Sequence, residues 1–246
     1  YMISFGLIFI YYWVILFSII GYGLLFSKFF LLKSNENKDI GYVGLYGIFS
    51  LLLISYFSSF LVPHNLFFNS IIIGIGFLYF WISKQKFFLR NNFKILILVF
   101  SILLITIYAA KNHDDFPYYH FPYTHLLIEY SVLIGIGNFN HGFRTHSSIF
   151  YLSSLFYLPF VKYFLIHLTP VFFLGFSNLI LYKKIKENLD KPNNLYLLFL
   201  SLFSLIFVNV FFYRLAEHGT DRSAMILIMV LVIEILSLIN LKGIYE

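Results

Sequence analysis

The chain is expected to fold as an all-α, polytopic integral membrane helix bundle, with about seven transmembrane helices plus an interfacial segment on the outer face. Three observations predict this. Of the 246 residues, 60% are hydrophobic and only 11% are charged, whereas a soluble domain carries about 25% charged residues. A water-soluble fold of this length cannot hide so much apolar surface. The apolar runs are also long and continuous rather than alternating, and segments in lipid must satisfy their own backbone groups, which selects helices over a barrel. Finally, the basic residues sit in short clusters between the apolar runs, the arrangement that orients helices in a membrane. The net charge of +6 is therefore no sign of a nucleic-acid partner.

The elements follow in order. The first apolar run, residues 3–30, is too long for a signal-peptide core and has neither a basic start nor a small-residue cleavage site, so it reads as a retained helix. A polar turn, KSNENKD, leads to a second helix over 41–61, in which Gly41, Gly44 and Gly47 share one face and suit close helix packing. Pro63-His64-Asn65 is a tight turn before a third helix over 67–82. A basic link with Lys84, Lys86, Arg90 and Lys94 precedes a fourth helix over 95–110. The large outer loop is placed at 111–160. Within it, residues 148–158 are expected to lie on the surface and to stop at Pro159, followed by a crossing over 161–182 that Pro170 kinks. Helices over 195–213 and 224–239 complete a single membrane domain spanning 1–246. The start at Tyr1 and the end soon after an apolar run fit a fragment of a longer protein. With no cysteine there is no disulfide framework and no thiolate site.

A single crossing over 161–182 puts the basic link KKIKENLDKPNN on the side of the other basic links, as the positive-inside rule favours. Twelve of the 17 Lys and Arg residues then fall on or beside the cytoplasmic side, and all eight histidines fall in the outer half. Basic residues inside need only the insertion machinery as their cause. Histidines confined to the other side point to a site there.

The stretch 111–148 holds five of the eight histidines, three of the 11 acids and the Asp114-Asp115 pair. Two adjacent carboxylates with His113 before them and His120 after them can bind a divalent metal cation or act as a general base. Neighbouring side chains point apart, so Asp115 is the one expected to turn inward; an ordinary polar helix end is the competing account. Phe116-Pro-Tyr-Tyr-His120 and Phe121-Pro-Tyr-Thr-His125 form a near-repeat whose tyrosines suit a sugar-stacking wall or, equally, an interfacial aromatic belt. The glycines at 135, 137 and 142 make a loop whose backbone can approach a ligand. In that loop Arg144, with His141 and His146, can grip a phosphate, or Arg144 can pair with Glu129 or a lipid phosphate. The link RLAEHGTDR brings Arg214, Glu217, His218 and Asp221, which can complete the same site or bridge one another. Glu234, deep in the last helix, carries an insertion cost of about 2.5–3.5 kcal/mol if unpaired, so it is expected to face the bundle, protonated or paired.

An Asp-Asp pair straight after a membrane helix, followed by Tyr- and His-rich segments, resembles the GT-C superfamily of membrane glycosyltransferases. The resemblance implies a polyprenyl-phosphate sugar donor, with Asp114 or Asp115 as base or metal-linked acid and Arg144 or Arg214 facing the lipid phosphate. One departure is that three crossings precede the helix leading to the acidic loop, where that superfamily has its catalytic loop after the first. The segments YYHFPYTH and NFNHGFRTHSSIFYLSSLFYLP also resemble uncharacterised bacterial membrane proteins with a domain of unknown function, a likeness that covers about 111–222 and implies no activity. The sequence reading is thus a lipid-linked sugar transferase acting in cell-envelope glycan assembly at the outer face of a bacterial inner membrane. Its partners are membrane lipid and the polyprenyl donor, with no nucleic acid. A transporter and a non-catalytic multi-pass component are the alternatives; a transporter would place its polar site near the bilayer midplane, where only Glu234 lies.

Overall fold

The structure, a computed structural model, describes residues 5–30, 39–88, 93–105, 114–144, 147–189, 191, 194–211 and 221–241. Among these, the architecture is helical throughout, with one isolated backbone bridge between Leu158 and Lys162 and no strand. The helices are α1 (Phe5–Phe30), α2 (Ile40–Ser59), α3 (Leu66–Phe88), α4 (Phe93–Leu103), α5 (Phe121–Glu129), α6 (Ser148–Ser154), α7 (Thr169–Asn188), α8 (Leu195–Phe211) and α9 (Asp221–Leu241). Spanning a hydrocarbon core takes about 20 apolar helical residues. Among the described residues, four segments are long and apolar enough, Phe5–Phe30, Ile40–Ser59, Leu66–Ser83 and Asp221–Ile239, and α4 and α8 are shorter apolar helices.

Local chemistry explains the boundaries. Asp39 caps α2, its Oδ1 accepting the Gly41 N–H at 2.7 Å, as an N-cap carboxylate does. The third helix runs past the expected end at 82, because Lys84, Gln85 and Lys86 are good helix formers and no Gly or Pro interrupts them. The larger corrections concern 148–182. Helix α6 ends at Ser154, not at 158, and it does not lie on the surface, since Phe150 to Ser154 are all buried. The following turns are buried too, with Leu155, Phe156, Val161 and Leu165 each fully enclosed. The helix expected from 161 starts at Thr169 instead. Pro170 sits in its first turn and does not kink it, because a first-turn N–H has no intrahelical acceptor to lose.

That helix, α7, is the hub. Every residue from Thr169 to Leu181 is buried, and α2, α4, α6, α8 and α9 all pack on it. Helix α1 lies between α2 and α3 and meets α4 through the Tyr12 hydroxyl, which donates to the Phe100 carbonyl at 2.8 Å. The glycines of α2 are close-approach positions as expected, but they do not serve one face: Gly41 and Gly44 pack on α7 and Gly47 on α1. A Cβ at Gly47 would lie 1.8 Å from the Ile19 carbonyl oxygen of α1, and one at Gly44 2.0 Å from the Phe176 ring of α7. Asn178 of α7 and Asn209 of α8 exchange reciprocal amide hydrogen bonds at 3.0 and 2.9 Å, the kind of polar bond that joins helices in an apolar medium.

The two ends of the bundle differ chemically. At one end, Lys183 reaches Asp39 at 3.2 Å and Glu187 at 3.4 Å, and Lys184 reaches Glu234 at 3.0 Å. The Tyr42 hydroxyl also donates to Glu234. Glu234 is therefore paired, as its cost when alone requires, and the start of the basic link KKIKENLDKPNN lies beside Asp39, the last residue of the polar turn KSNENKD. The opposite end carries the lobe formed by residues 114–144.

Candidate functional site

The lobe at this end is organised by the near-repeat. Each Phe-Pro unit opens a helical turn: residues Phe116–His120 form a π-turn that runs directly into α5, with Pro117 and Pro122 in the two first turns. The Phe121 N–H reaches back to the Phe116 carbonyl, the wider spacing by which a π-turn absorbs a disruption such as the N–H that proline lacks. Asp115 precedes this turn, and its carbonyl accepts from the Tyr118 and Tyr119 N–H groups, both at 3.2 Å. Tyr123, Leu127, Phe143, Phe150 and Tyr151 form a small core separate from that of the bundle.

The predicted residues disperse within this lobe. Asp114 is exposed and Asp115 half-buried, in keeping with the expectation that Asp115 turns inward. The Tyr119 hydroxyl donates to Asp115 Oδ2 at 3.4 Å. His120 is buried against Tyr119 and Phe150. His125 shares a hydrogen bond with the Tyr163 hydroxyl at 2.8 Å and stacks on Phe121. His141 is exposed. Arg144, also exposed, donates from Nε to the Gly137 carbonyl at 3.0 Å, which ties the two ends of the glycine loop together. His113, His146, Arg214, Glu217 and His218 lie outside the described residues. Among the described residues, no group of three His, Asp or Glu side chains is placed to hold a metal ion.

What the fold does assemble is a cavity of about 630 Å³ between α2, α6, α7 and α9. Its walls are apolar: Leu45, Ile48, Phe49 and Leu52 from α2, Phe173 from α7, and Ala224 and Leu227 from α9. Its rim at the loop end is polar, with Tyr119, Ser147, Ser148, Asp221 and Ser223. Tyr119 links the rim to Asp115. Its phenol is pushed above the usual tyrosine range by burial first, then by the negative charges of Asp115 and Asp221 with the Asp115 hydrogen bond between. Asp221, which the sequence placed among the residues able to complete a site with the first loop, lines the rim of this cavity; Tyr119, Ser147, Ser148 and Ser223 were not singled out. Tyr119 belongs to the aromatic near-repeat and was hidden among six neighbouring rings, and lone serines carry no pattern.

A second polar cluster was also missed. His64, in the turn before α3, is fully enclosed. Its Nδ1 lies 2.5 Å from Ser154 Oγ, its Nε2 2.9 Å from Ser58 Oγ, and its N–H donates to the Leu127 carbonyl at 2.8 Å. The Asn69 amide donates to three carbonyls, those of His64, Ser154 and Tyr157, at 2.7, 2.8 and 2.9 Å. This cluster fastens the outer lobe to the bundle. Burial pulls the His64 pKa down to about 4.

The class these features define is a helical protein whose described residues include four segments long and apolar enough to cross a membrane, with a compact polar-rimmed lobe at one end. The chain belongs to a family defined by a domain of unknown function, DUF8201, whose profile matches residues 2–245. No curated protein and no solved structure matches the chain.

Proposed function

We propose that the protein is a membrane glycosyltransferase-like enzyme of cell-envelope glycan assembly. It would act on polyprenyl-phosphate-linked sugars at the outer face of a bacterial inner membrane, which the chain crosses about seven times. The observation that carries the reading is the cavity, which joins an apolar interior to a carboxylate-bearing rim. A polyprenyl donor partitions into lipid and keeps its phosphate at the interface, while the acceptor hydroxyl arrives from water. In this reading Asp221 or Asp115 takes the acceptor proton. The acceptor oxygen bonds to the anomeric carbon as the bond from that carbon to the phosphate oxygen breaks, and polyprenyl phosphate leaves. Tyr119, between the two acids, orients the base. The cations of the rim sequences, Arg222 beside Asp221 and Arg144 three residues before Ser147, are the groups available to the leaving phosphate.

The test is transfer from a polyprenyl-phosphate sugar by the purified protein, with native mass spectrometry of co-purified lipid. Asp221→Asn and Asp115→Asn are each expected to retain the lipid, and at least one to lose turnover by a hundredfold or more, the scale of a lost general base. A wild-type protein that neither carries such a lipid nor transfers sugar would refute the proposal. One observation favours a second reading, a non-catalytic partner-holding component: Ile134 and Phe139 protrude from the glycine loop, 100% and 90% exposed.

A further inference from the structure

Between α6 and α7 the chain makes a turn that its own residues resist. The Val161 N–H donates to the Pro159 carbonyl and the Lys162 N–H to the Leu158 carbonyl, both at 2.8 Å. The first bond closes a γ-turn around Phe160, whose φ is +66°, and Lys162 follows at φ +44°. That is the rare, strained form of the γ-turn. Positive φ at a bulky residue persists only where the surroundings impose it. Here they do so by dividing the side chains. Leu158, Val161 and Leu165 are enclosed in the bundle core. Phe160, Lys162 and Phe164 stand outside it, the two rings 71% and 53% exposed.

Helix α3 fixes the level of this turn. Its apolar segment Leu66–Ser83 has 18 residues and rises about 27 Å, so all of it is needed to cross a hydrocarbon core of about 30 Å. Leu66 thus marks the edge of the core at the lobe end, where the nearby His64 N–H meets the Leu127 carbonyl. Asn69, about 4.5 Å inside that edge, donates its amide to the Tyr157 carbonyl at 2.9 Å. The backbone of Phe160, three residues later, lies no more than about 10 Å from there. At full reach outward it stands about 6 Å beyond the core edge, within a headgroup layer of about 5–8 Å. Its exposed ring therefore faces lipid and not bulk water. Lys162, between the two rings, has no ion pair among the described residues. Its long stem can lie on apolar surface while the ammonium reaches the phosphates.

We infer that residues 158–164 are an interfacial anchor, with Phe160 and Phe164 seated at the acyl-chain boundary and Lys162 paired with a phospholipid headgroup phosphate. The strained turn holds all three side chains outward together. The anchor also sets a height. The same segment joins Ser148, on the cavity rim, to Phe173, on the cavity wall, so a seated turn keeps the rim at the phosphate layer. The inference rests on α3 crossing the membrane and is independent of the sugar-transfer reading.

The chain has no cysteine, so single labels report depth. A nitrobenzoxadiazole fluorophore is attached at Phe160→Cys, at Phe164→Cys, at Ile75→Cys in the middle of α3, where the side chain is 49% exposed, and at Lys191→Cys in the basic link. Each protein is held in nanodiscs of phosphatidylcholine and phosphatidylglycerol, one chain per disc. Quenching by a lipid with a nitroxide high on its acyl chain is compared with quenching by aqueous iodide. Interfacial groups sit about 5–10 Å deep, so the nitroxide should quench the labels at 160 and 164 about threefold more than the label at 191, and iodide correspondingly less. Lys162→Glu should raise iodide quenching at 164 about twofold, and Lys162→Arg should leave it unchanged. Iodide quenching at 160 and 164 equal to that at 191, with the label at 75 shielded, would overturn the anchor and leave the crossing standing. A label at 160 shielded from both quenchers refutes it in favour of a protein surface covering the turn. Iodide that reaches the label at 75 removes the crossing and the anchor with it. An unchanged signal in Lys162→Glu refutes the phosphate contact.

Discussion

Asn69→Ala should be among the most damaging single substitutions in the chain. The Asn69 side chain is fully buried, and its amino group faces the carbonyls of His64, Ser154 and Tyr157 at 2.7, 2.8 and 2.9 Å. Three carbonyls around one nitrogen also settle the amide orientation, because the side-chain oxygen turned that way would meet only acceptors. Truncation removes the amide donor from all three carbonyls, of which that of Ser154 keeps the Tyr157 N–H at 3.2 Å. In water-soluble proteins each such loss costs about 1–3 kcal/mol. In membranes, where the unfolded chain finds other partners, polar contacts average about 0.6 kcal/mol. Two amino hydrogens serve three acceptors, so simple addition overstates the upper figure, and about 2–4 kcal/mol is expected. The assay is equilibrium unfolding in mixed micelles with rising dodecyl sulfate, followed by helical ellipticity, with Asn138→Ala on the exposed glycine loop as the control. Asn69→Asp sharpens it, since a carboxylate pointed at three carbonyls is repelled and must fall below the alanine variant in stability. A loss under about 1 kcal/mol for alanine, or an aspartate variant as stable as the alanine one, would refute the reasoning.

Two further expectations concern packing and pH. A methyl at Gly47 meets the Ile19 carbonyl of α1 at 1.8 Å, so Gly47→Ala should cost about 1–3 kcal/mol through forced separation of α1 and α2. Gly74→Ala, with nothing within 4 Å of its new methyl, should be neutral or mildly stabilising in the same titration. His64 and His167 both have pKa values lowered to about 4 by burial. The unfolded chain, titrating near 6.5, therefore binds more protons than the folded one between about pH 6.5 and 4. Stability is thus fully present above that window and is lost as pH falls through it, by about 3 kcal/mol for His64. His64→Gln should flatten the pH dependence, and an unchanged profile would show that His64 is not the group responsible.

The helical class and most boundaries were legible because they depend on composition and on uninterrupted apolar length, properties that a single segment carries alone. Close packing at Gly41, Gly44 and Gly47 and the pairing of Glu234 were legible for the same reason: small size and an unaffordable charge each have few structural solutions. Residues 148–182 were misjudged because their structure depends on neighbours. Helix α7 has only modest hydropathy and a proline at its start, so by itself it resembles a weak, kinked crossing; five packed neighbours make it the most enclosed element. The Asp115 and Asp221 neighbourhood was half legible. Adjacent acids advertise themselves, and the link that holds Asp221 was marked by its charge density, but Tyr119 between them reads as one aromatic among many. His64 and Asn69 gave no signal beyond a turn, since their partners are chiefly backbone carbonyls and serine hydroxyls, which have no sequence signature.

The reciprocal amide pair between Asn178 and Asn209 has a consequence for how the chain is made. Asn178 emerges 31 residues before its partner, so α7 leaves the ribosome with an amide that nothing yet satisfies. Tyr42 waits far longer, since Glu234 follows it by 192 positions. Synthesis order thus runs against bonding order in this fold. The earlier helices must remain loosely associated, or sheltered by the insertion machinery, until the last one arrives. A ribosome stalled after α8 would hold a chain whose Asn178 is already satisfied while Lys184 still lacks Glu234, which makes completion of α9 the step that locks the bundle.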